Sequence, residues 1–256
     1  MTNRRTFVGL ATLATLAMAA LLPAVVEAQT PAARRYGVLS AIGDRLTVVA
    51  YQPTTGTRID RNERWPVPMD STALDDTALL AVRGGLPAAT SAGTSFYRVT
   101  TDRFAQWQRL AETGDVQLPA DVAASLQQDG VTHLVLVSKL RAPASVQLDD
   151  GRLGSGSLEG LGFYLDHGVE IRDRERGTVG KGFIAPYVYV QLSLIDVAAK
   201  RIVGREAVRV ATGHSAAAST TGRDPWEALS ADEKGRLIGE ILTREVGSAT
   251  GRLVAG

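Results

Sequence analysis

The 256-residue chain contains no cysteine. Structural disulfides, thiolate nucleophiles and iron–sulfur ligation are excluded by that absence. A lipid anchor on a cysteine after the leading apolar run is excluded too. Histidine is scarce: His133, His167 and His214 are the only three, and none is spaced to pair with another on one helix or strand. His133 falls in an apolar run, where an imidazole satisfied in the core or at a sheet edge is the ordinary role. Net charge is nearly absent. The 28 basic and 27 acidic residues leave +1, which argues against a dedicated nucleic-acid surface.

Several catalytic signatures are missing. Gly154-Ser155-Gly156-Ser157 does not supply the elbow of a serine hydrolase. Gly177 to Gly182 resembles part of a phosphate cradle, but no hydroxyl follows Lys181, and it reads as a turn. Asp149-Asp150-Gly151 lacks the alternating ligands of a calcium loop. Arg172 to Arg176 alternates in sign and reads as a solvated face. No catalytic, cofactor-binding or metal-binding set emerges. The competing class is a periplasmic hydrolase using His133, His167 or His214 with nearby aspartates.

What is present begins with an export signal. Arg4 and Arg5 precede an apolar stretch from Phe7 to Val26, and Val26-Glu27-Ala28 offers a cleavage site after Ala28. Asn3-Arg4-Arg5-Thr6-Phe7-Val8 resembles a twin-arginine signal, and an ordinary secretory signal fits equally well. Cleavage removes two of the 28 basic and one of the 27 acidic residues, leaving 26 of each. The expected product is periplasmic or secreted, with no stable transmembrane span. Residues 29–35 form a short leader, and 36–256 form one domain.

Apolar residues make up 45%, enough for a sizeable core. The organising stretch is Phe183 to Val210. Val188, Val190, Leu192 and Leu194 alternate with Tyr187, Tyr189, Gln191, Ser193 and Ile195, a period of two. Asp196 to Lys200 breaks the run before it resumes, which predicts a long antiparallel hairpin. Tyr36 to Ile42 and Leu46 to Tyr51 are strands, and Gly43-Asp44 between them predicts a second hairpin. Arg58 to Trp65 is a polar edge strand stopped by Pro66 and Pro68. Helices are expected over Asp70–Arg83, Arg103–Thr113 and Pro119–Asp129. Val131 to Leu140 is a strand covered on both faces. Ser230 and Glu233 form a capping box that opens a terminal helix reaching about Leu253. The fold class is therefore α/β (α+β), with a mixed, largely antiparallel sheet and packed helices.

Residues 141–182 read as a glycine-rich insertion with little regular pattern. Within it Leu158, Leu161, Phe163, Tyr164 and Leu165 cluster. Left exposed they would form an interaction surface; tucked onto the sheet they would be core.

Gly130 to Val137, and Tyr187 to Ile202 with its strand, Asp196, turn, basic residues and strand, resemble envelope α/β domains. The families are the periplasmic domain of curli-secretion lipoproteins and the amino-terminal domain of the TolB type. The anchoring cysteine of the curli family is missing here. This resemblance implies a non-catalytic exported protein with a binding or assembly role. Its partner would be another envelope protein or envelope component, with no cofactor.

Overall fold

The 19-residue strand β10 (Thr178–Asp196) is the axis of the computed structural model, which describes residues 34–43, 45–53, 59–69, 72–149, 151–173, 178–215 and 224–256. The expected signal segment lies outside the described residues, as does Arg174 to Arg176 of the charged cluster. Strand β10 alternates as its sequence predicts, and both of its apolar rows are covered. The turn after Asp196 returns the chain as β11 (Arg201–Ala211), antiparallel to β10, with Tyr187 opposite Ala211 and Asp196 opposite Arg201. A two-residue strand, β12 (His214–Ser215), extends that edge.

The other edge of β10 is shared by two strands. Its second half pairs antiparallel with β5 (His133–Lys139), from Val190–Lys139 to Asp196–His133. Its first half pairs antiparallel with β9 (Ser157–Asp173), from Tyr189–Gly160 to Thr178–Asp173. Lys139 and Gly160 therefore meet where the sheet forks. Beyond them, β1 (Tyr36–Ala41) runs parallel to β5, and β2 (Arg45–Ala50) runs parallel to β9. Strand β3 (Glu63–Pro68) closes one side against β2, and β4 (Ser95–Tyr97) lies beside β1. The sheet is mixed and largely antiparallel.

Four expectations are corrected here. Strands β1 and β2 are not a hairpin, because among the described residues they pair with different partners and run the same way. The fully buried pattern of β1 marks a strand enclosed on both faces. The segment 141–182 is not irregular. It contains β6 (Arg141–Pro143), the tight pair β7 (Val146–Leu148) and β8 (Gly151–Leu153), all of β9, and the start of β10. Gly180 and Lys181 lie in β10, with the register shift between Lys181 and Phe183, so the described part of the phosphate-cradle fragment, Thr178 to Gly182, is strand and bulge, not a turn. The edge strand includes Pro66 and Pro68, which β3 tolerates because among the described residues β2 alone pairs with it.

One face of the sheet carries helices α1 (Ala73–Gly85) and α5 (Ala231–Ala255). The capping box is formed as read: Ser230 accepts from the Glu233 N–H, and the Glu233 carboxylate accepts from the Ser230 N–H. Ile238, Ile241, Leu242, Val246 and Leu253 are buried against Val188, Val190, Leu192 and Leu194. Each such side chain contributes about 1.5–3 kcal/mol. Glycines at the crossing of the two helices let the backbones touch. A Cβ on Gly85 would collide with the Gly247 carbonyl.

The opposite face has two covers. Over β1, β5 and the end of β10 lie α3 (Phe104–Thr113) and α4 (Ala120–Gln128), with Trp107, Leu110 and Leu126 packed on Leu39, Leu134, Leu136 and Ile195. A further short helix, α2 (Ala88–Ser91), precedes β4. Over β2, β9 and the start of β10 lies a flap made by residues 141–159, with Ala142, Val146 and Leu158 packed on Tyr164, Tyr187 and Tyr189.

Candidate cleft at the sheet fork

The five residues Leu158, Leu161, Phe163, Tyr164 and Leu165 are all buried, Phe163 and Tyr164 at 1% exposure each. They are core and form no interaction surface. The physical reason is that β9 is buried on both faces. Leu161, Phe163 and Leu165 join the core under α1 and α5, while Leu158 and Tyr164 join the core under the flap.

The three histidines do not come together at one site. His133 pairs with Asp196 and His214 with Ile184 of the same strand. Twelve residues of β10 separate positions 184 and 196, about 40 Å at roughly 3.3 Å per residue. His167 lies on the exposed end of β9, 3.5 Å from Asp224. Burial lowers the pKa of His133, with Arg34 adding to it and Asp196 opposing. Burial likewise lowers His214, helped by Arg236 and opposed by Glu233. Among the described residues no cluster of His, Asp and Glu is arranged to hold a metal ion.

What the fold does build is a cleft where the two covers meet. On the covered row of β10, Tyr187 and Tyr189 lie under the flap and Ile195 lies under α3. Between them stand Gln191 and Ser193. Ser138 of β5 is beside them, its hydroxyl donating to the Gln191 carbonyl at 3.4 Å, and both serines are fully buried. Polar residues thus interrupt an apolar row at the seam. Gln191 donates to the Ala111 carbonyl at 3.4 Å, which ties the seam to α3.

Gln108 of α3 finishes the end of β5. Its amide donates to the Lys139 carbonyl at 2.8 Å and accepts from the Lys139 N–H at 3.1 Å. It stands in for the strand neighbour that Lys139 loses where β1 ends, and leaves the backbone groups satisfied. Lys139 itself lies across Gly160, where a Cβ would meet its stem at 3.0 Å.

Three adjoining cavities open at this seam, of about 280, 340 and 270 Å³, and Lys139 lines all of them. The first also meets Arg45 and Phe104, the second Arg141, Gln191, Arg205 and Glu112, and the third Arg64, Arg141, Glu159 and Tyr187. Five basic side chains face two carboxylates in a chain that is otherwise nearly neutral. Arg64 is tied to Asp60, and Arg205 donates to the Ala111 carbonyl at 3.2 Å. Among the described residues, neither Lys139 nor Arg141 has an ion-pair partner within 4.0 Å.

The flap is fixed by hydroxyls and one carboxylate. Tyr187 donates across Gly162 to the Thr47 carbonyl of β2 at 3.1 Å. Gly162 has no room for a side chain, since a Cβ would run into the Thr47 backbone. Tyr189 donates to the Pro143 carbonyl at 3.3 Å and accepts from the Ser145 N–H at 3.1 Å. Tyr164 accepts from the Ser155 N–H at 3.2 Å. Burial raises the pKa of all three phenols, so they remain protonated. Asp60 accepts from the Ser157 N–H at 2.9 Å and its hydroxyl at 3.0 Å, and pairs with Arg64. Burial alone would raise the Asp60 pKa, but hydrogen bonds from Arg64, Asn62 and Ser157 outweigh it and hold the carboxyl low.

No family model matches the chain, and no curated protein matches it. Similar solved structures exist. A DUF330 protein from Xanthomonas campestris is 12% identical at TM-score 0.40, over 87% of this chain and 85% of that one. A PelC dodecamer from Paraburkholderia phytofirmans is 10% identical at TM-score 0.31, over 86% and 90%. A Helicobacter pylori protein described as a homologue of neuraminyllactose-binding hemagglutinin is 7% identical at TM-score 0.37, over 86% and 81%. The first two come from proteobacteria. At these scores the likenesses say nothing of this chain's ligand.

Proposed function

We propose that this chain is a non-catalytic exported protein of the cell envelope, periplasmic or secreted, whose binding site is the cleft at the sheet fork. The observation that carries the binding role is the seam itself. Polar Gln191 and Ser193 sit where an apolar row would otherwise continue, and Gln191 and the neighbouring Ser138 line the cavity of about 340 Å³. Leaving such a gap in a close-packed face gives up packing energy, which a ligand site explains. The export role is supported by Arg4, Arg5, the apolar stretch and Val26-Glu27-Ala28. The resemblance to curli-secretion and TolB-type domains supports the envelope setting and an envelope partner. Among the described residues no helix is long and apolar enough to cross a membrane.

Fractionation of a proteobacterial host expressing the full chain tests the setting. The expected product is periplasmic or secreted, with an amino terminus at Gln29. A cytoplasmic product that retains Met1 to Ala28 contradicts it. Replacing Arg4 and Arg5 by Lys separates the routes: loss of export identifies the twin-arginine route, and retained export identifies the ordinary secretory one.

A further inference from the structure

We propose that the fork cleft binds a small multivalent oxyanion, a solute carrying two or more phosphate or carboxylate groups, between Lys139 and Arg141. The inference rests on the binding role above and adds the chemical class of the ligand. Lys139 and Arg141 are the two residues common to the cavities of about 340 and 270 Å³. Their neighbours Arg64 and Arg205 are already engaged, by Asp60 and by the Ala111 carbonyl. Those two cations are held walls, and Lys139 and Arg141 supply the uncommitted charge. Two neighbouring cations with no counter-charge repel one another, and an oxyanion relieves that repulsion through charge-assisted hydrogen bonds.

The carboxylates in the lining are accounted for. Glu159 is the cross-strand partner of Arg141, yet it makes no ion pair with it within 4.0 Å. Glu112 accepts from Gln108 at 3.0 Å. The cleft therefore keeps an excess of positive charge. Its cavities suit a small solute better than a folded partner, for pockets of a few hundred Å³ enclose molecules of metabolite size. The Lys139 stem is placed by Gly160, and the Lys139 backbone is locked on both sides by Gln108, so the site is largely pre-formed.

Isothermal titration of the mature chain at low ionic strength tests this, with pyrophosphate and citrate as anionic probes and trehalose as a neutral one. The expected result is saturable 1:1 binding of at least one anion and none of trehalose. In a Lys139→Gln/Arg141→Gln variant, affinity should fall at least ten-fold. Circular dichroism and the thermal midpoint of that variant should match wild type, since neither residue belongs to the buried core. Arg98→Gln, a basic residue paired with Asp76 on another surface, should leave affinity within two-fold. Equal losses in both variants would mean diffuse attraction and overturn the proposal. Binding of trehalose alone, lost in the double variant, would overturn the oxyanion assignment while keeping the cleft as the binding site. No binding of any probe overturns the proposal and leaves the export test to decide the wider role.

Discussion

The two covers on one face of the sheet achieve the same burial by different means. The α3–α4 cover relies on volume: Trp107, Leu110 and Leu126 fill the space above β1 and β5. The flap over β2 and β9 offers only Ala142, Val146 and Leu158, and is pinned by the hydroxyls of Tyr164 and Tyr189 and by Asp60. Apolar packing is non-directional and tolerates small shifts. Hydrogen bonds at 2.9–3.3 Å are directional and fail one at a time. The helical half is therefore expected to unfold with the whole molecule, and the flap to open locally at lower cost. The cleft lies between a rigid wall and a looser one.

The largest effect is expected from Gly162→Val. No relaxation of one side chain relieves a Cβ that meets the Thr47 backbone, so a loss beyond ordinary overpacking, about 5 kcal/mol or more, is predicted. Chemical denaturation should show a lowered midpoint, and a wild-type midpoint would contradict the close approach of β2 and β9. Trp107→Ala comes next, at about 3–5 kcal/mol lost from the global transition. Tyr189→Phe removes one pin, and its expected cost of about 0.5–1.5 kcal/mol should appear locally. Hydrogen exchange should rise in residues 143–157 while α3 and β5 keep their protection. A uniform rise across both halves would erase the contrast between the covers.

The smallest effects are pH-dependent, and two carboxylates give opposite slopes. Asp60 has a lowered folded pKa, so its contribution is full above the ordinary value of 3.8 and is lost as pH falls through the folded value. Asp75 on α1 sits near Ser40 and the backbone N–H groups of Ile42 and Gly43, and burial raises its pKa. Its contribution is full below 3.8 and is lost as pH rises through the folded value. In thermal melts between pH 2 and 6, Asp60→Asn should flatten the limb below 3.8 and Asp75→Asn the limb above it. The same limb changing in both variants would show that one assignment is wrong.

The two halves also differed in how far the sequence disclosed them. The period of two from Tyr187 to Ile195 and the capping box at Ser230 carried β10 and α5 directly, because each side chain there occupies its own place. Strand β9 was concealed. On the flap face its row is Leu158, Gly160, Gly162 and Tyr164, with glycines opposite Tyr189 and Tyr187, so the neighbouring strand's rings fill the space and the alternation disappears. The cleft had a signal that was visible and unused. Gln191 and Ser193 interrupt a row that Tyr187, Tyr189 and Ile195 make apolar. The placing of Lys139 and Arg141 in a cleft had none, since the fork on which they lie depends on β5 and β9 sharing one edge of β10.

Amide NMR of a ¹⁵N-labelled chain from Gln29 to Gly256, titrated with pyrophosphate, tests the central claim most directly. The predicted result is saturable shifts confined to the fork: Ser138 to Arg141, Gly160 and Gln191. The N–H of Lys139 should be among them, because it is held by Gln108 at the cleft wall. Shifts centred elsewhere, around Arg98 or Arg236 for example, would contradict the placement of the binding site, as would the absence of any saturable change.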